Sequence, residues 1–253
     1  TAMFNLPLTL VVALGMSVVP AISSALTRKS DLEARSITES TIRIAMLFAA
    51  PCALGMSALS KEVLFILFQD CNAKSVLAIL AVAIIPVAVV SVTNAILQSY
   101  GKVYCPVINM VIGGAAKVLF NFCFIPYLGI DGAPVGTFLC YLIIAFLNMK
   151  DIIKYAGIRF KWNEFVIRPI LAALIMGAVG FVLGTFVTGT DFLTSGAVNI
   201  WLRRVVIVAE IGVCALVYFF AVFAVRAIQR EDILHLPKGE KIAAVLTRLK
   251  LLK

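Results

Sequence analysis

Lys117 stands midway along an apolar run over residues 106–126. A lone ammonium at that depth in a hydrocarbon layer is costly unless it meets a counter-charge or a water-filled cavity. Asn109, Gly113, Lys117 and Asn121 recur every four residues, which puts them on one slowly drifting face of a helix. A second set, Ser91, Asn94 and Gln98, spaced by three and four, lies in the run 76–99, and Thr137 and Tyr141 lie four apart in the run 134–150. These faces could line a common hydrophilic cavity. They could equally hydrogen-bond across helices as packing glue, a routine use of polar side chains in membranes. Glu210 is the other ionisable group within an apolar run; it lies two turns from Arg203 and Arg204, as a structural tether at the interface or as a proton-coupling group.

Catalytic sets are absent from this inventory. The sequence holds no Ser-His-Asp pattern, no facing pair of carboxylates and no glycine-rich phosphate loop. Its single histidine, His235, sits in a polar tail, and the six cysteines form no CxxC pair. A metal site or other cofactor is therefore not expected, and the cysteines read as small apolar residues in helix packing.

The elements that carry these residues are seven apolar stretches, at 4–26, 42–59, 76–99, 106–126, 134–150, 167–187 and 203–225. Each approaches the roughly 20 residues that a helix needs to cross a bilayer. A 62% apolar and 14% charged composition excludes an ordinary soluble domain. The reading is an all-α membrane protein with seven transmembrane helices. Threading the chain back and forth gathers Arg28, Lys29, Arg35, Arg43, Lys102, Lys150, Lys154, Arg159, Lys161, Arg168 and the basic tail on one side. The other side keeps only Lys61, Lys74, Arg203 and Arg204. By the positive-inside rule the first side is cytoplasmic, with the C-terminus inside and the N-terminal end outside. The net charge of +9 then faces anionic headgroups, and nucleic acid is not an expected partner.

Proline and glycine punctuate the spans. Pro106 and Pro169 suit helix starts, whereas Pro51 and Pro86 fall inside spans, where each removes a backbone hydrogen bond and predicts a kink. The carbonyl so freed needs a neighbouring helix or water. The segment Thr27 to Arg43 predicts a short helix along the cytoplasmic face, and Val63 to Phe68 a helix end at the outer interface. From Pro237, Ile242, Val245, Leu246, Leu249 and Leu252 share one face, and Lys238, Lys241, Arg248 and Lys250 keep mainly to the other, the pattern of an interfacial amphipathic helix. The domain reading is a partial six-helix lobe at 1–156, two further spans at 157–229, and a cytoplasmic tail at 230–253. An opening apolar run without a signal peptide suggests that further helices precede it in the full protein.

Three stretches carry a family resemblance. Ala13 to Ser23 (ALGMSVVPAIS) resembles the end of the first helix pair in one lobe of the polysaccharide exporters. These form a branch of the multidrug/oligosaccharidyl-lipid/polysaccharide flippase superfamily. Ile112 to Asn121 (IGGAAKVLFN), running on to Ile125-Pro126, is similar to that branch's lysine-bearing helix, and Gly129 to Thr137 (GIDGAPVGT) to its turn. The stage V sporulation protein B group is the nearest in pattern, and Leu236 to Lys241 fits it as well. The resemblance covers essentially the whole chain. It implies two six-helix lobes around a central cavity with two extra helices, of which this chain would hold helices eight to fourteen. It also implies an N-terminal lobe as partner and a lipid-linked oligosaccharide as substrate.

On that reading Lys117 would attract the pyrophosphate of an undecaprenyl-linked glycan or peptidoglycan precursor. Asn94, Gln98 and Asn121 would meet sugar or phosphate oxygens, with Ser91, Asn109, Thr137 and Tyr141 along the same cavity. The last two spans would shelter the lipid tail in a groove, and membrane lipids would surround the whole. The flippase that the branch resembles carries an arginine near the position of Ala2. Two rival functions remain: a cation-coupled multidrug efflux pump, for which Glu210 would be a coupling group, and a non-transporting scaffold for cell-wall synthesis. An enzyme is not expected.

Overall fold

In a computed structural model, residues 2–68, 73–158, 163–186 and 200–225 are described. Among them there is no β-strand, and six helical stretches are long and apolar enough to cross a membrane: Phe4–Thr27, Asp31–Ala58, Lys74–Ser99, Tyr104–Ala156, Phe165–Thr185 and Trp201–Ala224. This is an all-α membrane protein. Helices prevail because hydrocarbon offers no partner for backbone N–H and C=O groups, so each segment must satisfy its own.

Helix α1 (Ala2–Thr27) is followed by α2 (Asp31–Ala58), α3 (Ser60–Phe68), α4 (Lys74–Val82) and α5 (Ile84–Ser99). Then come α6 (Tyr104–Leu128), a single tight turn at Gly129–Asp131, α7 (Gly132–Ala156), α8 (Arg168–Phe186) and α9 (Ile200–Ala224). The 53-residue stretch Tyr104–Ala156 is thus two helices joined by the Gly129–Asp131 reversal. The tail pattern from Pro237 lies outside the described residues.

Three boundaries differ from the sequence expectation. The segment from Thr27 to Arg43 forms no separate surface helix, because α2 runs unbroken from Asp31. Asp31 and Glu33 in its first turn suit the positive end of the helix dipole. Ala34, Thr38, Thr41 and Arg43 are buried within the bundle, so packing rather than a lipid surface takes this face. Residues Ser60–Phe68 form a helix of their own after a break at Leu59. The span 76–99 is two helices, divided at Ala83. Pro86, in the first turn of α5, has no N–H to give the Val82 carbonyl, so the expected kink becomes a break one turn upstream.

Pro51 acts differently, since α2 continues through it. The carbonyl that it leaves without a helical donor belongs to Leu47, and the Tyr218 hydroxyl of α9 donates to that oxygen at 2.7 Å. The neighbouring helix supplies what the proline removed. Tyr218→Phe is expected to cost about 1–2 kcal/mol in the folded bundle. In a Pro51→Ala background, where residue 51 regains its N–H, the same change should cost close to nothing. A double-mutant cycle on denaturation in detergent measures this, and equal costs in the two backgrounds would refute the pairing.

The main core joins α1, α2, α5 and α7 through Val11, Ile22, Ala49, Ala88, Ile96 and Ile152, with smaller clusters between α8 and α9 around Ala172 and Met176. Two helices end in the same local motif. After α1, Ser30 N–H bonds Ala25 C=O and Lys29 N–H bonds Leu26 C=O; after α5, Lys102 N–H bonds Leu97 C=O and Gly101 N–H bonds Gln98 C=O. The left-handed residue that this cap requires is Lys29 (φ 57°) in the first and Gly101 (φ 72°) in the second.

Candidate functional site

Helices α6 and α7 pack antiparallel along the face that carries Asn109, Gly113, Lys117 and Asn121. Gly132 lies against the backbone of Phe124 and Ile125, Gly136 against the Asn121 side chain, and Gly113 against Ile144 and Cys140. Each glycine permits a close approach that a side chain would obstruct. The four-residue repeat therefore runs along the seam between the two helices.

At one end of that seam a buried amide network ties three helices together. Asn109 Nδ2 donates to Asn148 Oδ1 at 2.9 Å and to Asp151 Oδ2 at 2.8 Å. Asn148 Nδ2 donates in turn to Thr93 Oγ1 at 2.9 Å and Asn94 Oδ1 at 2.7 Å. Asn94 Nδ2 reaches the Met110 sulfur at 3.9 Å. Asn148 is fully buried, and Asn109 nearly so. Satisfied polar groups of this kind cross-link helices and fix their register.

The other expected residues take separate places. The hydroxyls of Ser91 and Thr137 donate to carbonyls of their own helices, Val87 at 2.9 Å and Ala133 at 2.9 Å. Tyr141 packs against the core, and Gln98 is exposed. Asn121 is half-buried, with its Oδ1 enclosed and unpartnered among the described residues. Lys117 is half-buried as well. It lies within electrostatic reach of Cys140 and forms no hydrogen bond or ion pair with another described residue. Lys117 and Asn121 thus stand together, one turn apart, as the polar groups of the seam whose bonding capacity is not used up internally.

A second feature lies between α2, α8 and α9. A groove of about 690 Å³ runs there, lined by Leu47, Cys52, Met56, Met176, Cys214 and Phe219 among others, with almost no polar surface. Next to its lining residues Val63 and Ile211, Glu62 and Glu210 are buried, and Arg203, two turns before Glu210, is buried as well. Glu62 Oε1 and Glu210 Oε1 lie 3.2 and 3.4 Å from the point where a Cβ on Gly184 would stand. Local pattern does not reveal this pair of carboxylates, because Glu62 and Glu210 are remote in the chain. Both carboxylates thus approach the same glycine, and a methyl group there would touch each of them.

Asn148, Asp151, Thr93 and Glu62 do not stand out in the sequence as site residues. Asn148 carried a usable signal, a lone amide within an apolar span. The other three gave none apart from their partners.

The family model for "Lipid II flippase MurJ" matches residues 1–200. The chain belongs to the lipid II flippase MurJ family. Two curated relatives from Bacillus subtilis (strain 168) accompany this. The lipid II flippase MurJ is 27% identical over 225 residues, covering 84% of this chain and 40% of that protein. The uncharacterized membrane protein YabM is 26% identical over 168 residues, covering 66% of this chain and 31% of its own length. The chain spans less than half the length of either relative. The chain is thus a multi-pass helical membrane protein of this family, with an apolar groove and a partly buried lysine.

Proposed function

We propose that this chain is the C-terminal half of a flippase for a lipid-linked glycan or peptidoglycan precursor, of the stage V sporulation protein B type. The observation that carries the reading is the apolar groove between α2, α8 and α9 in a chain of the MurJ family. Transport of such a precursor requires two unlike environments at once, a wet one for the diphosphate and sugars and a dry one for the isoprenoid tail. The groove offers the dry one. Lys117 and Asn121, which do not line the groove, offer a cation and an unused acceptor for the headgroup.

In this reading the chain crosses the membrane seven times, with Tyr104–Leu128 and Gly132–Ala156 as separate crossings and the C-terminus in the cytoplasm. Residues 1–156 contribute most of one lobe, and an N-terminal lobe of the same protein faces it across the cavity. Rocking of the two lobes about the bound headgroup gives alternating access.

The groove is tested by filling it. Ala215 lines it, and Ala215→Trp in the full-length protein is expected to reduce transport of lipid-linked precursor by about tenfold, a barrier change of roughly 1.4 kcal/mol. Transport at the unmodified rate, with the protein folded and membrane-inserted, would show that the tail travels elsewhere.

A further inference from the structure

One end of the bundle, where α1 and α7 finish, α2 begins and α5 turns into α6, concentrates positive charge in an unusual arrangement. The Lys102 and Lys154 ammonium groups both lie over the ring of Tyr155, at 4.7 and 5.2 Å from its centroid. The Arg35 guanidinium rests on Gly157, where a Cβ would stand 2.8 Å from Nη2. Gly157 has φ 63°, a backbone shape that calls for glycine, and the guanidinium takes the space beside it. Arg35, Lys102 and Lys154 are exposed and form no ion pair with described residues. Of the neighbouring carboxylates, Glu33 pairs with Arg28 at 3.3 Å and Asp151 accepts from Asn109, while Asp31, one turn before Arg35, acts with it on Tyr100 without forming an ion pair with a described residue.

The three cations come from α2, the α5–α6 turn and the end of α7, so the fold brings them together. Each is positioned by a fixed feature. Tyr155 is packed against the main core, Lys102 closes the cap of α5 through its backbone N–H, and Lys154 sits in the last turn of α7. Like charges gathered on one ring repel, and cation–π contact offsets only part of that. An anion with several oxygens would relieve the remainder through charge-assisted hydrogen bonds.

We propose that Arg35, Lys102 and Lys154, set around Tyr155 and Gly157, form a binding site for the phosphodiester headgroup of an anionic membrane lipid. The site stands apart from Lys117 and the groove, and it does not depend on the flippase reading. A lipid is the source chosen because the cluster lies at the rim of membrane-spanning helices, within reach of a headgroup whose chains stay in the bilayer. Its occupation would tie α2, α5 and α7 at one end and so bias how this half of the protein tilts.

The test uses the full-length protein in phosphatidylcholine vesicles containing spin-labelled phosphatidylglycerol, read by the immobilised spectral component. Arg35→Gln, Lys102→Gln and Lys154→Gln are each expected to lower the selectivity for phosphatidylglycerol about fivefold, the worth of one cation near an anionic surface. Tyr155→Leu should lower it as well, by releasing both lysines. Lys102→Arg with Lys154→Arg should preserve it and so serves as the folding control. Lys29→Gln, exposed on the same end but outside the cluster, should leave it nearly unchanged. Wild-type selectivity in the triple glutamine variant would overturn the proposal, as would an equal loss on Lys29→Gln, which would mean a diffuse field. Displacement of the lipid by millimolar inorganic phosphate would assign the site to a soluble anion and overturn the lipid assignment.

Discussion

Replacing Lys117 with alanine in the full-length protein is expected to lower transport of lipid-linked precursor at least tenfold. A charged group's hydrogen bond to an anion is worth roughly 1.5–3 kcal/mol, and half-burial of Lys117 limits the screening that would weaken it. Lys117→Arg keeps the charge and should retain most of the activity, while Lys117→Gln should resemble alanine. The effect should fall on transport and not on folding, because Lys117 makes no hydrogen bond or ion pair with the described residues. The measurement is headgroup accessibility of lipid-linked precursor in proteoliposomes, alongside the denaturation midpoint in detergent. Full transport by Lys117→Ala would remove this residue from the mechanism.

Asn148→Leu should have the opposite signature, a large loss of stability. Leucine roughly preserves the volume but abandons the Thr93 hydroxyl and the Asn94 carbonyl that Asn148 Nδ2 now serves. It also removes the acceptor for Asn109. Orphaning buried polar groups costs about 1–3 kcal/mol apiece, though bonds within membrane bundles measure lower, so a total of roughly 2–4 kcal/mol is expected. Gln98→Ala, at an exposed site in the same helix as Thr93 and Asn94, should stay within about 0.5 kcal/mol. Equal denaturation midpoints for wild type and Asn148→Leu would show that the network contributes nothing.

These two substitutions separate residues that look alike in the sequence. Lys117, Asn109 and Asn121 share a four-residue spacing, and periodicity alone assigns them one role. The structure divides them by what they meet. Asn109 is saturated by Asn148 and Asp151, whereas Asn121 Oδ1 remains enclosed without a donor among the described residues. Asn94 likewise belongs to the network, so its amide is committed to holding α5 against α7. Its Nδ2 makes only the 3.9 Å contact with the Met110 sulfur.

The membrane character, the apolar spans and the charge asymmetry followed from the sequence alone, because hydrocarbon thickness and backbone hydrogen bonding leave few choices for long apolar runs. The need for a donor at the Leu47 carbonyl followed too, since any proline within a span creates one. Which group would answer, the Tyr218 hydroxyl, was settled only by the approach of α9 to α2. The convergence of Glu62 with Glu210 at Gly184, the α6–α7 seam, and the gathering of Arg35, Lys102 and Lys154 on Tyr155 and Gly157 likewise belong to the tertiary structure. Each joins residues far apart in the chain, and local pattern carries no information about which helix faces will meet.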